Sequence, residues 1–160
     1  GFYFFEDDFT QEELERHFDF YEPFTVHESS LSPCVHSIQA AKLGRMEQAY
    51  TFYLRTSRLD LDDYNHEVHE GLHITSMAGT WMSIVEGFGG MRVNNDKLSF
   101  EPRIPEQWKG YSFKVNFRNQ IITVNVSQHE TVFEIDGTKE LEILVNGKPI
   151  TITPNSVVNV

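Results

Sequence analysis

Residues 71–92 read Gly-Leu-His-Ile-Thr-Ser-Met-Ala-Gly-Thr-Trp-Met-Ser-Ile-Val-Glu-Gly-Phe-Gly-Gly-Met-Arg. Small residues (Ser76, Ala78, Gly79, Ser83) face large apolar ones (Met77, Trp81, Ile84, Val85, Phe88) at helical spacing, which predicts a helix able to pack closely on two sides. The segment opens on His73, Thr75 and Ser76. It closes on Gly87, Gly89 and Gly90, glycines that stop a helix and release the chain into another kind of structure. A helix start that gathers free backbone N–H groups, hydroxyls and an imidazole is expected to hold an anion.

Working outward, the period of the pattern changes from 3.6 to 2 after Gly90. Val93 to Phe100 turns at Asn94-Asn95-Asp96, and residues 120–126, 131–135, 141–145 and 150–153 alternate or run β-branched. Asp136-Gly137 and Asn146-Gly147 are turn signals, the second lying between two strand-like runs and predicting a hairpin. Upstream, Thr10 and Glu13 form a capping box ahead of Leu14, His17, Phe18 and Tyr21, and Pro23 ends that helix. A polar loop over 25–32 leads to Ser32-Pro33, read as an N-cap with a first-turn proline. Two more helices follow, one through Val35, Ile38, Ala41 and Leu43, the other through Met46, Ala49, Tyr50, Tyr53 and Leu54. Helices joined by so short a loop form an αα-hairpin, the repeat unit of helical barrels and solenoids. The expected organisation is α+β, with a helical domain over 1–90 and a small antiparallel β-sandwich over 91–160. The opening Gly-Phe-Tyr-Phe-Phe reads as the end of a core helix that begins upstream, so the chain is expected to be a fragment.

Charge divides along the same line. Residues 1–90 hold 5 Lys+Arg and 16 Asp+Glu, a net of −11, whereas residues 91–160 hold 8 of each. An acidic helical half argues against nucleic acid or an anionic membrane as partner. No apolar run reaches the roughly 20 residues of a membrane-spanning helix, and the opening residues do not read as a signal peptide. The single cysteine, Cys34, excludes an internal disulfide and fits a reducing compartment; cytoplasmic localisation is expected.

Three motifs invite chemistry. His69-Glu70-Gly71-Leu72-His73 matches the H-E-x-x-H zinc-peptidase pattern, but that site needs both histidines one turn apart on a settled helix and a third ligand. Gly71 interrupts it, and no metal is expected. Residues 60–65, Asp-Leu-Asp-Asp-Tyr-Asn, lack the glycine and distal glutamate of a helix–loop–helix calcium site and read as a solvated or site-lining loop. The third is a combination: Ser29 and Ser30 on a loop beside His27, His36 on the next helix, and His73 with Thr75 and Ser76 at a helix entrance. With no Lys or Arg among them, this set is suited to an oxyanion held by neutral hydrogen bonds.

Residues 27–32 (His-Glu-Ser-Ser-Leu-Ser), 60–65, 71–79 and 87–92 (Gly-Phe-Gly-Gly-Met-Arg) closely resemble the disaccharide phosphorylases of glycoside hydrolase family 65, above all the members that cleave maltose. The likeness is specific from about Tyr3 through Arg92 and looser through the strands. It implies that the helices close a six-fold (α/α) barrel. It also implies that Ser29 or Ser30, together with His73, binds inorganic phosphate as substrate, with His27, Thr75 and Ser76 lining the site and no cofactor. Those enzymes protonate the glycosidic oxygen with a glutamate on the central barrel while phosphate attacks the anomeric carbon with inversion. No glutamate here sits in a matching motif, so no catalytic residue is assigned, and the chain alone is expected to be inactive. Its expected partners are a disaccharide, phosphate and the rest of the same protein, with self-association left open. The competing reading is a non-catalytic carbohydrate-binding or scaffold module.

Overall fold

A computed structural model describes residues 1–154 and 156–160. The chain divides into two compact units, Gly1–Gly87 and Phe88–Val160.

In the first unit, helix α1 (Gln11–Tyr21) starts at the predicted capping box. The Glu13 N–H donates to Thr10 Oγ1 at 3.2 Å and the Thr10 N–H donates to Glu13 Oε2 at 2.9 Å, which satisfies two otherwise orphaned donors. Pro23 sits in the single turn Glu22–Phe24 that follows. Helices α2 (Ser32–Lys42) and α3 (Met46–Ser57) make the expected αα-hairpin around Gly44, and α4 (Ile74–Met82) continues into a wide π-type turn over Ser83–Phe88. Residues 2–5 form turns rather than the end of a helix; Phe2 stacks on His17 at 4.6 Å, while Phe4 and Phe5 are exposed.

The two-sided packing of α4 follows from its small residues. Ser76 is buried, and its hydroxyl donates to the Thr56 carbonyl of α3 at 2.8 Å. Gly79 lies so close to α2 that a Cβ there would stand 2.8 Å from Cys34 Cβ and 2.9 Å from its Sγ. Ile38, Ala40, Ala41 and Ala49 are fully buried in the same unit. This part of the core therefore depends on short side chains and close backbone approach more than on bulk.

The second unit is a sandwich of two four-stranded sheets. One has the order β1 (Arg92–Asn94), β2 (Lys97–Phe100), β6 (Leu141–Val145), β7 (Lys148–Ile152). The other has the order β3 (Gly110–Phe117), β4 (Gln120–Ser127), β5 (Thr131–Asp136), β8 (Val157–Asn159). Phe100 from the first sheet meets Phe133 (5.3 Å between centroids) and Phe113 (6.2 Å) from the second, forming the dry centre between them. Two-residue hairpins turn at Asn95-Asp96, Arg118-Asn119 and Asn146-Gly147, with φ positive at both central positions in each, as the right-handed strand twist favours.

Two expectations are corrected. The sandwich is not wholly antiparallel, because β2 and β6 pair in parallel, a register reached through the whole β3–β4–β5 excursion. Asp136-Gly137 closes no hairpin; it starts the crossing from β5 in one sheet to β6 in the other. Strand β3 also goes beyond the expected set, although Tyr111, Phe113, Val115 and Phe117 alternate with polar residues along it.

Gly79→Ala is expected to destabilise the helical unit by about 1–3 kcal/mol through overpacking against α2. A second change, Cys34→Ala, should recover only part of the loss, since it removes Sγ and leaves Cβ in place. Urea unfolding followed by helical circular dichroism on the single and double variants measures both.

Candidate functional site

The turn after α3 delivers an acidic loop to the start of α4, and the expected anion site at that helix start is occupied from within. Asp60 accepts from the His73 backbone N–H through Oδ2 at 2.9 Å and from the His73 ring Nδ1–H through Oδ1 at 2.5 Å. The carboxylate thus sits at the N-terminus of α4, where the helix dipole favours it. Three further N–H groups at this helix start are also engaged. The Ile74 N–H donates to the Leu72 carbonyl, and the Ser76 and Met77 N–H groups donate to the His73 carbonyl. Ser76, with its hydroxyl on Thr56, is turned into the core and not toward a ligand, whereas Thr75 is exposed.

The far side of the His73 ring faces a second carboxylate. Nε2 lies 3.6 Å from Glu67 Oε2, and Asn65 Nδ2 donates to the same Glu67 oxygen at 3.3 Å and to the Glu28 carbonyl at 3.1 Å. A continuous run of polar contacts therefore joins Asp60, His73, Glu67 and Asn65 to the peptide immediately before Ser29. The sequence motifs around Ser29 and His73, more than 40 residues apart, are brought together through Asn65, a residue that sequence reading placed in the loop without giving it a role. The acidic residues of that loop are individually occupied: Asp62 pairs with Arg58 at 2.6 Å and Asp63 accepts from the Val68 N–H at 3.1 Å.

The serine loop has its own anchors. His27 is buried in a left-handed conformation (φ 57°), with its ring against His36 (4.5 Å) and Phe52 (4.9 Å). Its Nδ1 pairs with Ser32 Oγ at 2.9 Å, and its carbonyl accepts from Arg55 Nη2 at 2.7 Å. Ser32 is therefore not the N-cap it was expected to be: Leu31 holds that position, and the Ser32 hydroxyl serves His27. His36 donates from Nδ1 to the Ser32 carbonyl at 2.9 Å. Ser29 is exposed, with its hydroxyl accepting from the Leu31 N–H at 3.3 Å, and Ser30 is half-buried beside it. His27 lies beneath this loop as its support.

His69 and His73 stand on separate elements. His69 is on the single turn Val68–Glu70, Gly71 follows with φ 115°, and His73 precedes α4 with Nδ1 on Asp60. Among the described residues no cluster of three His, Cys, Asp or Glu side chains is arranged to hold a metal ion. Also among them, no helix is long and apolar enough to cross a membrane.

The two histidines are driven in opposite directions. Asp60, by hydrogen bond and then by charge, raises the His73 pKa above its usual value, with Glu67 adding to it; Asp60 itself is held below the usual carboxylate range by His73. Burial, with His36 and Arg55 nearby, lowers His27 to about 4. A raised histidine contributes stability fully below about pH 6.5, which is lost as pH rises through its folded value; a lowered one contributes above about pH 6.5, with loss on acidification toward its folded value. Between these two groups the helical unit is expected to be most stable near pH 6.5. His27→Asn, which tolerates the left-handed backbone, should flatten the acid limb, and His73→Gln the alkaline limb. Urea midpoints measured from pH 4 to 9 check both.

Residues 1–82 match the glycosyl hydrolase family 65 central catalytic domain, and residues 91–152 match the C-terminal domain of the same family. Maltose phosphorylase of Bacillus subtilis is 52% identical over 152 residues, covering 95% of this chain and 20% of the relative. An alpha,alpha-trehalose phosphorylase of Thermoanaerobacter brockii is 43% identical over 149 residues, covering 93% and 19%. A solved structure from the human microbiome, assigned as a kojibiose phosphorylase, superimposes with a TM-score of 0.93 at 39% identity, over 99% of this chain and 23% of that one. The chain spans about a fifth of the length of the curated relatives it matches. With both of its parts matched in order, this chain belongs to glycosyl hydrolase family 65.

Proposed function

We propose that the chain is the C-terminal part of an inverting α-glucoside phosphorylase, and that its contribution to catalysis is to hold inorganic phosphate. The observation that carries this reading is the run of contacts from His73 through Glu67 and Asn65 to the peptide before Ser29, because it ties together the two motifs that would grip one anion. Ser29 or Ser30 supplies a hydroxyl, and His73 supplies Nε2–H. Phosphate so placed needs no general base, since it is already ionised. One of its oxygens attacks the anomeric carbon from the face opposite the glycosidic bond. That bond breaks as a glutamic acid from the barrel, outside residues 1–160, protonates the departing oxygen, leaving β-glucose 1-phosphate and free sugar. The work of His73 and the serine is mainly to hold the nucleophile in line. Maltose is the substrate named for the relative that is 52% identical, with trehalose and kojibiose named for others, and it is the substrate proposed here.

In this reading the helices close a six-fold (α/α) barrel of a cytoplasmic enzyme that needs neither metal nor organic cofactor. Phe4, Phe20, Phe24, Leu31, Leu72 and Trp81 leave apolar surface on the helical unit, which supports further helices packing there. The exposed large apolar residues described on the sandwich are Val93, Ile121, Val157 and Val160, with no aromatic among them. That disfavours the alternative of a sugar-binding module, because sugar rings stack on aromatic faces.

Two outcomes test the proposal. Residues 1–160 alone should release no glucose 1-phosphate from maltose and phosphate, since general-acid catalysis worth on the order of a hundredfold or more is missing. In a complete enzyme, made by replacing the matching segment of the Bacillus subtilis maltose phosphorylase with this chain, His73→Ala should raise the phosphate KM by about one to two decades and leave the maltose KM nearly unchanged. Steady-state kinetics varying the two substrates separately decide between this and a purely structural histidine.

A further inference from the structure

We propose that Asp60 is a positioning residue for the phosphate nucleophile: by gripping His73 at both ring and backbone it fixes the imidazole as a charged donor with only Nε2–H turned toward the anion. The inference rests on the phosphate reading of His73 given above.

The two carboxylates on either side of the ring are unequal, and their geometry decides which one stays. Asp60 accepts two hydrogen bonds, at 2.5 and 2.9 Å, from a side chain only 15% exposed. Glu67 approaches Nε2 at 3.6 Å, beyond hydrogen-bond range, from a side chain 44% exposed. An incoming anion therefore displaces Glu67, which gives up one 3.3 Å bond from Asn65 and no hydrogen bond to His73, and leaves Asp60 in place, while Asn65 keeps its bond to the Glu28 carbonyl. Glu67 marks the place that phosphate takes; Asp60 is the counter-charge that persists once it has. The backbone N–H bond holds the Asp60 carboxylate in place and the Nδ1–H bond holds the ring, so a ring flip breaks the ring bond against a fixed acceptor, and the direction of Nε2–H is set before phosphate arrives.

Among the described residues, neither nearby arginine faces the His73 ring. The charged groups facing the ring are Asp60 and Glu67, with Asp63 lining the same cleft. Arg58 is turned to Asp62, and Arg55 to the His27 carbonyl and the Tyr64 ring. Helix α4 itself carries no charged side chain. The direction of the His73 titration, upward with Asp60 as its first cause, agrees with this arrangement.

The test uses the complete chimaeric enzyme described above, with Asp60→Asn, Glu67→Gln and His73→Ala compared across pH 5.5–8.5. Asparagine keeps the size of Asp60 but offers one N–H-bearing group where two acceptors are needed, and it removes the charge. The ratio of phosphate KM in Asp60→Asn to that in the unaltered enzyme should be near one at pH 5.5, where the imidazole is charged in both. It should climb to about tenfold by pH 8, while kcat at saturating phosphate and the maltose KM stay within about threefold. Glu67→Gln should lower the phosphate KM, because the carboxylate that phosphate displaces is then uncharged. A ratio that does not change with pH overturns the role of Asp60, and so does a Glu67→Gln variant that reproduces the Asp60→Asn profile. If His73→Ala leaves the phosphate KM untouched, the phosphate reading itself fails, which separates the two claims. Should Asp60→Asn not fold, ring-nitrogen NMR on the unaltered chain still decides. His73 titrating above the ordinary histidine value with a protected Nδ1–H supports the proposal, and a neutral His73 throughout pH 5.5–8 overturns it.

Discussion

The helical unit depends on how closely α4 approaches α2 and α3. With hydrogen as its only side chain, Gly79 lets the backbone come within reach of Cys34, and Ser76 adds a hydrogen bond to the Thr56 carbonyl. Both contacts fix α4 in rotation and along its axis. His73 immediately precedes the first turn of that helix, so its position is set by packing one and two turns further on. A site residue carried by a loop is thereby held with the precision of a core contact.

The same economy of volume explains why the serine loop needs a histidine under it. The 25–31 segment has no regular backbone hydrogen bonding of its own to hold it, and His27 supplies the order from one buried ring and one carbonyl. Burial keeps that ring neutral, which is what a support between His36, Phe52 and Arg55 requires; a charge there would be both desolvated and repelled. His27 and His73 are chemically identical side chains driven apart by their surroundings, one toward a neutral structural ring and the other toward a charged donor.

Much of this was legible in the order of the residues. The capping box at Thr10, the αα-hairpin, the close-packed helix after His73 and the hairpin at Asn146-Gly147 each follow from local patterns that the structure keeps. What was not legible lacked a local signal or depended on tertiary contacts. Arg118-Asn119 carries no glycine, so its hairpin was hidden, and with it β3, despite a clear polar–apolar alternation. The parallel pairing of β2 with β6 is a property of topology that no local period encodes. At the site, Ser32 looked like a cap and Ser76 like a site-lining hydroxyl because each stands at a helix start; both hydroxyls are taken by His27 and the Thr56 carbonyl, partners that the fold brings near. Asp60 and Asn65 looked like solvated loop residues for the converse reason.

The charge balance gives this arrangement its rationale. Residues 1–90 carry a net charge of −11, so the long-range field of this segment does not favour an anion. The phosphate site proposed above relies instead on short, directional hydrogen bonds, whose strength falls steeply with misalignment. That proposed site has one imidazole and one or two hydroxyls as its donors, so each has to stand where its hydrogen bond is aligned. Asp60, Asn65 and Arg55 spend their polar groups on the His73 and His27–Glu28 segments, and so hold the two short motifs in register.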